Sequence, residues 1–214
     1  MTHICHLIDD LSTGGAQNLL LRIIRETPDD ISNSVLYLGA RDKLRDEFED
    51  AGIHVYGGNG RFRFDPKAIT RVTRELRKTD CDLLHTHLAY AQTVGRVIGH
   101  YLGISPIVGT YHDVPANYTR SWWLRAIETA TRSLDTQAVG VSEGMSQEFR
   151  EDWFPPDDVV TVPNGINVDE FAEQVAAADP ESVRGKLGDD LVYLNIGRYA
   201  PKKAQKDLIT AMEQ

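Results

Sequence analysis

Cysteine is scarce in this chain. Cys5 and Cys81 are the only two, far apart and without CxxC spacing, which argues against a disulfide framework or a cysteine zinc site and leaves both as small buried hydrophobes. Long apolar runs are missing too. None approaches the roughly 20 residues needed to span a bilayer, and the N-terminal stretch has neither the charged start nor the apolar segment of a secretion signal. The expectation is a cytoplasmic chain, for which the sequon Asn117-Tyr118-Thr119 has no meaning. Positive charge is also short. A formal net charge of -9 argues against a general nucleic-acid binder, whose phosphate neutralisation needs a basic surface.

Several motifs are lacking as well. There is no Gly-Lys-Ser/Thr loop, and the first loop is Ser12-Thr13-Gly14-Gly15-Ala16-Gln17 rather than GxGxxG. The second apolar run ends at Tyr37-Leu38-Gly39 without the acidic residue that holds a ribose, so a dinucleotide-binding reading fails. Gly140-Val141-Ser142-Glu143-Gly144 has the form of a hydrolase nucleophile elbow. Those hydrolases place the triad histidine after the serine, whereas all seven histidines here precede Ser142, the last being His112. Ser142 is better explained as a helix N-cap.

What is present is an alternation of strands and helices. The apolar run 3–8 stops before Gly14-Gly15 and restarts with helical spacing over residues 19–24, which places a helix N-terminus at the carboxyl end of a strand, where an anion is favoured. The predicted tenant is a phosphate-bearing ligand, and a tight turn is the plain alternative. Further strands are predicted at 35–38, 53–56, 82–85, 107–111, 138–141 and 159–162, separated by helix-length segments. That order implies an α/β, Rossmann-like doubly wound parallel sheet covered on both faces. From Pro163 the texture becomes a linker with the alanine-rich run 175–178, and residues 191–196 open a new strand before a helix over 206–212. One strand and part of a helix cannot bury a core, so the expectation is residues 1–163 as one domain, 164–188 as a hinge and 189–214 as the start of a second domain in a longer protein.

In an open parallel sheet the crevice lies beyond the carboxyl ends of the strands. The loops there hold Gly14-Gly15, His85-Thr86-His87, Tyr111-His112-Asp113 and Ser142-Glu143. His85 and His87 share one strand face and, with His112, form a conceivable zinc set. The alternatives are His112 hydrogen-bonding a polar ligand and His112 as a structural cap. Lys67, Arg71, Arg74 and Lys78 fall on one helix face opposite Ile69, Val72 and Leu76, forming a basic stripe suited to an anionic membrane surface, a lipid-linked phosphate or plain solvation. Tyr118, Trp122 and Trp123 offer an aromatic patch for a sugar or an interface, although adjacent tryptophans on a helix diverge by about 100 degrees, so one of the pair is expected to serve the core.

Residues 162–171, Val-Pro-Asn-Gly-Ile-Asn-Val-Asp-Glu-Phe, followed by 195–203, Asn-Ile-Gly-Arg-Tyr-Ala-Pro-Lys-Lys, resemble the hinge and second-domain opening of family 4 retaining glycosyltransferases. Gly14-Gly15-Ala16-Gln17, the 82–87 strand and Thr110-Tyr111-His112 extend the resemblance over essentially the whole chain. It implies the GT-B fold, two Rossmann-like domains facing across a cleft, and transfer of a sugar from a nucleotide-sugar donor to a lipid-linked, polysaccharide or other glycan acceptor. It also implies that Arg198 and Lys203 bind the donor diphosphate, that His112 lies near the transferred sugar, and that Gly14 to Gln17 form the loop facing donor and acceptor. Fixed cations on the leaving diphosphate make a metal or other cofactor unnecessary. The acidic motif that follows in the family has no counterpart here, and Ala204 stands where the family often has glycine. The expectation is an enzyme's acceptor-side portion, inactive alone, working in the cytoplasm or at the inner membrane face. The alternative is a non-catalytic sugar- or nucleotide-binding module of the same architecture.

Overall fold

The computed structural model describes residues 1–114, 121–152, 158–179, 184–185, 191–197, 199 and 203–212. They fall into two compact units, Met1–Ile166 and Asn167–Gln214.

The first unit is built on seven strands: β1 (Thr2–Ile8), β2 (Ile31–Tyr37), β3 (His54–Gly57), β4 (Leu83–His87), β5 (Ile107–Tyr111), β6 (Gln137–Gly140) and β7 (Val159–Thr161). All neighbours pair in parallel, in the order β3-β2-β1-β4-β5-β6-β7. The chain winds one way from β1 to β3 and the other way from β4 to β7, so the direction reverses between β1 and β4. Helices α1 (Gly15–Arg25), α2 (Arg45–Asp50), α3 (Pro66–Lys78), α4 (Ala89–Leu102), α5 (Trp122–Thr131) and α6 (Glu143–Asp152) connect them, with a short 3-10 turn at Arg132–Leu134. The doubly wound parallel sheet expected from the alternation is the one observed.

Local chemistry sets the helix ends. Asp65 caps α3 by accepting from the Lys67 N–H, with Pro66 at the first position and Arg77 and Lys78 in the last turn, where the helix dipole favours cations. Ser142 Oγ accepts from the Met145 N–H at 3.4 Å, in the capping role expected of it. Gly103 ends α4 with φ of 72°, a left-handed geometry suited to glycine.

Three apolar clusters fill the layers. Cys5, Leu7, Leu84 and Ile107 meet Val72 and Leu76 of α3 and Val94 and Ile98 of α4. Ile8, Val35 and Tyr37 meet Leu20, Leu21 and Ile24 of α1 and Phe48 of α2. Tyr111, Ala138 and Val159 meet Met145 and Phe149 of α6. Helix α4 lies close on the sheet because Gly95 has no side chain: a Cβ there would stand 2.5 Å from Thr86 Cγ2 and 3.0 Å from Leu7 Cδ2.

That approach places Arg96 wholly inside, where Nη1 donates to Glu128 Oε1 at 2.7 Å and Nε to Asp135 Oδ2 at 2.8 Å. Nη2 donates to the Tyr111 hydroxyl. Burial alone would weaken the charged form, but Tyr111, Asp135 and Glu128 outweigh it and hold the guanidinium above its ordinary pKa. A second tie joins the end of β1 to the start of α4, where Asp9 Oδ1 accepts the Ala91 N–H at 2.7 Å. Burial pushes the Asp9 carboxyl up to about 7, against the pull of that N–H and of Arg63.

In the second unit, residues 168–177 form a helix, α7 (Val168–Ala177), where the sequence predicts linker. Asn167 Oδ1 accepts the Glu170 N–H at 3.0 Å and starts it. Residues 191–196, expected as a strand, carry no ladder, because the described residues of this unit offer no neighbouring strand to pair with. Helix α8 (Gln205–Met212) follows the predicted course. No described residue of this unit is buried.

Two outcomes follow from the buried groups. Arg96→Met strands Glu128 and Asp135 without their cation and lowers unfolding free energy by about 3–5 kcal/mol in urea titration; a loss under about 1 kcal/mol would contradict the account. For Asp9, the folded carboxyl titrates near 7 and the unfolded one in the ordinary range. The folded state therefore holds the extra proton, and stability falls as pH rises from about 4 to about 7. Asp9→Asn removes that share of the slope and gains on the order of 2–4 kcal/mol at pH 7.5 over the parent chain; an unchanged difference between the two across this pH range would refute it.

Candidate functional site

The register of the central strands builds the site. Ile8 pairs with His87 and His87 with Thr110, so the carboxyl ends of β1, β4 and β5 stand side by side and hand on to Asp9, Leu88 and the Tyr111-His112 pair. This edge lies at the reversal of winding, where open α/β sheets leave a crevice.

Asp10 organises the first loop. Its Oδ1 accepts from the Ser12 N–H at 3.0 Å and hydroxyl at 2.6 Å, and its Oδ2 pairs with Arg41 Nη2 at 2.8 Å. Gln17 Nε2 donates to the Asp10 carbonyl at 3.2 Å, so this amide is turned into the protein. Gly14 follows as the N-cap of α1, with no side-chain cap and no acidic residue in the first turn. The helix therefore presents unneutralised N–H groups and the positive end of its dipole. A Cβ at Gly15 would meet nothing within 4 Å, so neither chain packing nor a left-handed φ requires glycine there, and the backbone is open to a close-lying ligand. Ala16, next in the turn, is half-buried.

Leu88 joins β4 to α4 with φ of 70° and ψ of 155°, a conformation that costs a non-glycine residue about 1–3 kcal/mol. This turn brings the start of α4 onto Asp9.

Histidines floor the crevice. Strand pairing sets His6 opposite His85, and alternation along β4 puts His87 on the same face. His6 Nδ1 and His87 Nε2 are 3.3 Å apart, and His87 Nδ1 and His112 Nε2 are 3.5 Å apart. The outer nitrogens are held as well: His6 Nε2 donates to Asn33 Oδ1 at 3.0 Å, and His85 Nε2 meets Thr110 Oγ1 at 2.7 Å. Burial lowers His6 and His112 to about 4 and His85 and His87 well below the ordinary imidazole value, so the row is uncharged at neutral pH. One ring nitrogen each of His6, His85 and His87 lies within 4.8 Å of the others. The set with metal-ligand proximity is thus His6 with the β4 pair, while His112 of the expected trio stands one ring further out.

The remaining predicted residues fall as follows. Lys67, Arg71, Arg74 and Lys78 are all exposed on α3, so the stripe is intact, although Arg71 Nη1 donates to the Gly58 carbonyl at 2.9 Å and Lys78 pairs with Glu75. Trp122 is 83% and Trp123 41% exposed, so neither is buried in the core as expected of one of the pair; Trp123 packs its ring edge-on against Phe64 at 6.1 Å. Tyr118 and Arg198 lie outside the described residues. Lys203 is exposed in the second unit, its stem beside Gly197, and Ala204 takes φ of 53°, the left-handed region where glycine is at ease. Sequence reasoning missed His6, Asp9, Asp10 and Leu88. For Asp10 a signal exists, the Asp-x-Ser spacing of a side-chain turn; for the others the role comes from pairing across the sheet.

A family model described as Glycosyltransferase Family 4 matches residues 13–170. The chain is 28% identical over 209 residues to a phosphatidyl-myo-inositol mannosyltransferase of Mycobacterium tuberculosis, covering 93% of this chain and 52% of that protein. It is 23% identical over 145 residues to the UDP-Gal:alpha-D-GlcNAc-diphosphoundecaprenol alpha-1,3-galactosyltransferase of Escherichia coli, covering 65% of this chain and 38% of that protein. Among solved structures it matches Anabaena Alr3699/HepE in complex with UDP and glucose, with a TM-score of 0.80 at 18% identity over 99% of this chain and 57% of that one. That likeness is one of fold, the Rossmann-like fold of GT-B proteins. The chain spans about half the length of the mannosyltransferase and less of the galactosyltransferase. With most of its first unit matched by the family model, the chain belongs to glycosyltransferase family 4.

Proposed function

We propose that this chain supplies the acceptor-side lobe of a retaining glycosyltransferase that moves a sugar from a nucleotide-sugar to a lipid-linked glycan or lipid phosphate. The observation that carries this reading is the start of α1, an uncapped helix N-terminus opening at Gly15 after the carboxyl end of β1, the strand that also carries His6 of the neutral histidine row. Such a terminus suits a phosphate oxygen. The two curated relatives bear names with diphosphoundecaprenol and phosphatidyl-myo-inositol as acceptors, both lipids carrying phosphate. His112, uncharged and held through its Nε2 by His87, suits a hydrogen bond to a sugar hydroxyl.

The leaving group needs cations. As the sugar departs, negative charge builds on the nucleotide diphosphate, and Arg198 and Lys203 are the residues that the family pattern assigns to it. The floor of the first lobe carries no cationic side chain in its histidine row, so this lobe alone binds nucleotide weakly and turns over no donor. Contact with a membrane belongs to the same reading. The α3 stripe and the exposed Phe62 and Trp122 give cations and aromatic rings, the combination that holds a protein at an anionic interface.

In a protein extended to the length of its relatives, Arg198→Ala or Lys203→Ala lowers turnover of the nucleotide-sugar about 100-fold, roughly 3 kcal/mol of transition-state stabilisation. Donor hydrolysis and transfer, followed by nucleotide release, test it; unchanged rates in both variants would sink the assignment. For the stripe, Lys67→Glu with Arg74→Glu leaves the structural Arg71 bond alone. Binding to vesicles containing phosphatidylglycerol drops roughly tenfold or more, and equal co-sedimentation of parent and variant would dismiss membrane contact.

A further inference from the structure

We infer that His6, His85 and His87 form a binding site for one borderline divalent cation, zinc in the first place, beneath the sugar-facing edge of the sheet. Three imidazoles converge from two adjacent central strands, and one nitrogen of each lies within 4.8 Å of the other two. One pair of facing nitrogens, His6 Nδ1 and His87 Nε2, is separated by 3.3 Å. That equals the edge of a tetrahedron whose centre lies about 2.0–2.1 Å from each nitrogen, the zinc–imidazole bond length.

The surroundings have the form of a metal site. Each ring also has a partner outside the set: His6 Nε2 meets Asn33 Oδ1 at 3.0 Å, His85 Nε2 meets Thr110 Oγ1 at 2.7 Å, and His87 Nδ1 meets His112 Nε2 at 3.5 Å. Such outer partners fix ring orientation and tautomer at metal centres. No carboxylate belongs to the set. All-nitrogen ligation suits zinc, cobalt, nickel or copper and excludes magnesium and calcium, which need oxygen. The site lies on strands rather than loops, and the three side chains are positioned by the register of β1 and β4.

Binding requires a proton to move within the row but none to leave it. Asn33 Oδ1 accepts from His6 Nε2–H, so His6 Nδ1 carries a lone pair, and the hydrogen between the facing nitrogens sits on His87 Nε2. An ion that takes both lone pairs obliges His87 to carry its hydrogen on Nδ1, donating to His112 Nε2. Occupancy thereby sets the tautomer of His112. The binding site itself does not rest on the transferase reading; only the consequence for His112 bears on it.

The test uses tag-free chain stripped with chelator and dialysed. Titration with zinc alone gives one ion per chain at micromolar or tighter affinity, and cobalt substituted for zinc gives the intense visible absorption of a four-coordinate ion. His6→Gln and His87→Gln each abolish binding. Asn33→Ala, which removes no ligand and leaves the strand in place, weakens it about 10–100-fold. Circular dichroism checks the fold of every variant, and 15N spectra of the parent chain show the His87 proton moving from Nε2 to Nδ1 on zinc addition. Failure of the parent chain to retain zinc, a pale six-coordinate cobalt spectrum, or binding undiminished in folded His6→Gln and His87→Gln would each overturn the proposal.

Discussion

The guanidinium of Arg96 fixes the edge on which the site stands. It is fully enclosed and reaches Glu128 on α5, Asp135 beyond the 3-10 turn and the Tyr111 hydroxyl at the end of β5. Tyr111 immediately precedes His112, so the strand end that offers His112 to the crevice is held from behind by a charge network rather than by apolar contact alone. A buried ion pair of this kind adds little net stability over a well-packed apolar substitute. Its effect is geometric, because a cation with three partners tolerates one arrangement of them. Gly95 makes the arrangement possible: a side chain there would lift α4 from β1 and β4 and draw Arg96 away from the acidic groups it neutralises.

The crevice is the product of two constraints acting from opposite sides. The reversal of winding between β1 and β4 leaves no crossover helix over their carboxyl ends, and the Leu88 backbone takes up a strained conformation to send the chain directly into α4. Asp9 then receives the first N–H groups of α4, leaving the α1 terminus with no competing side-chain anion in its own first turn. The two helix starts differ accordingly. One is closed by a carboxylate from 82 residues away, and the other remains open at Gly15, where a ligand can supply the missing acceptor.

Much of the architecture was legible in the sequence. Short apolar runs separated by helix-length segments gave all seven strands of the first unit because each run is buried on the sheet and each gap has helical spacing. The stripe on α3 and the capping by Ser142 followed from periodicity and residue type alone. The site was legible only in part. His85 and His87 announce themselves by spacing on one strand, but His6 joins them through a parallel pairing with a residue 79 positions away. Asp9 escaped notice for the same reason. The helix at 168–177 was hidden by its alanines, which suggested a linker, although Asn167 and Glu170 at cap spacing carried the opposite signal. The strand at 191–196 failed for a different cause. Apolar alternation states a capacity to pair, and pairing also needs a partner.

On the proposed reading, charge explains how work divides between the two units. A lysine or arginine placed on the crevice floor would have to be desolvated beside His6, His85 and His87, whose rings burial drives to the neutral form, able to lend a lone pair to a metal ion but no countercharge to a cationic side chain. What the floor can hold at low cost is oriented dipoles: imidazole N–H groups and the first peptides of α1. These orient a polar acceptor and favour an anionic oxygen without carrying a full charge. Full charges are cheaper where water reaches them, as at the exposed Lys203. A diphosphate leaving group, with its growing negative charge, needs full charges, and an acceptor hydroxyl needs orientation. On the proposed reading, placing the cationic side chains after the hinge and the dipoles before it follows from solvation, and a single lobe carrying both would have to bury an arginine or lysine beside rings that offer it no countercharge.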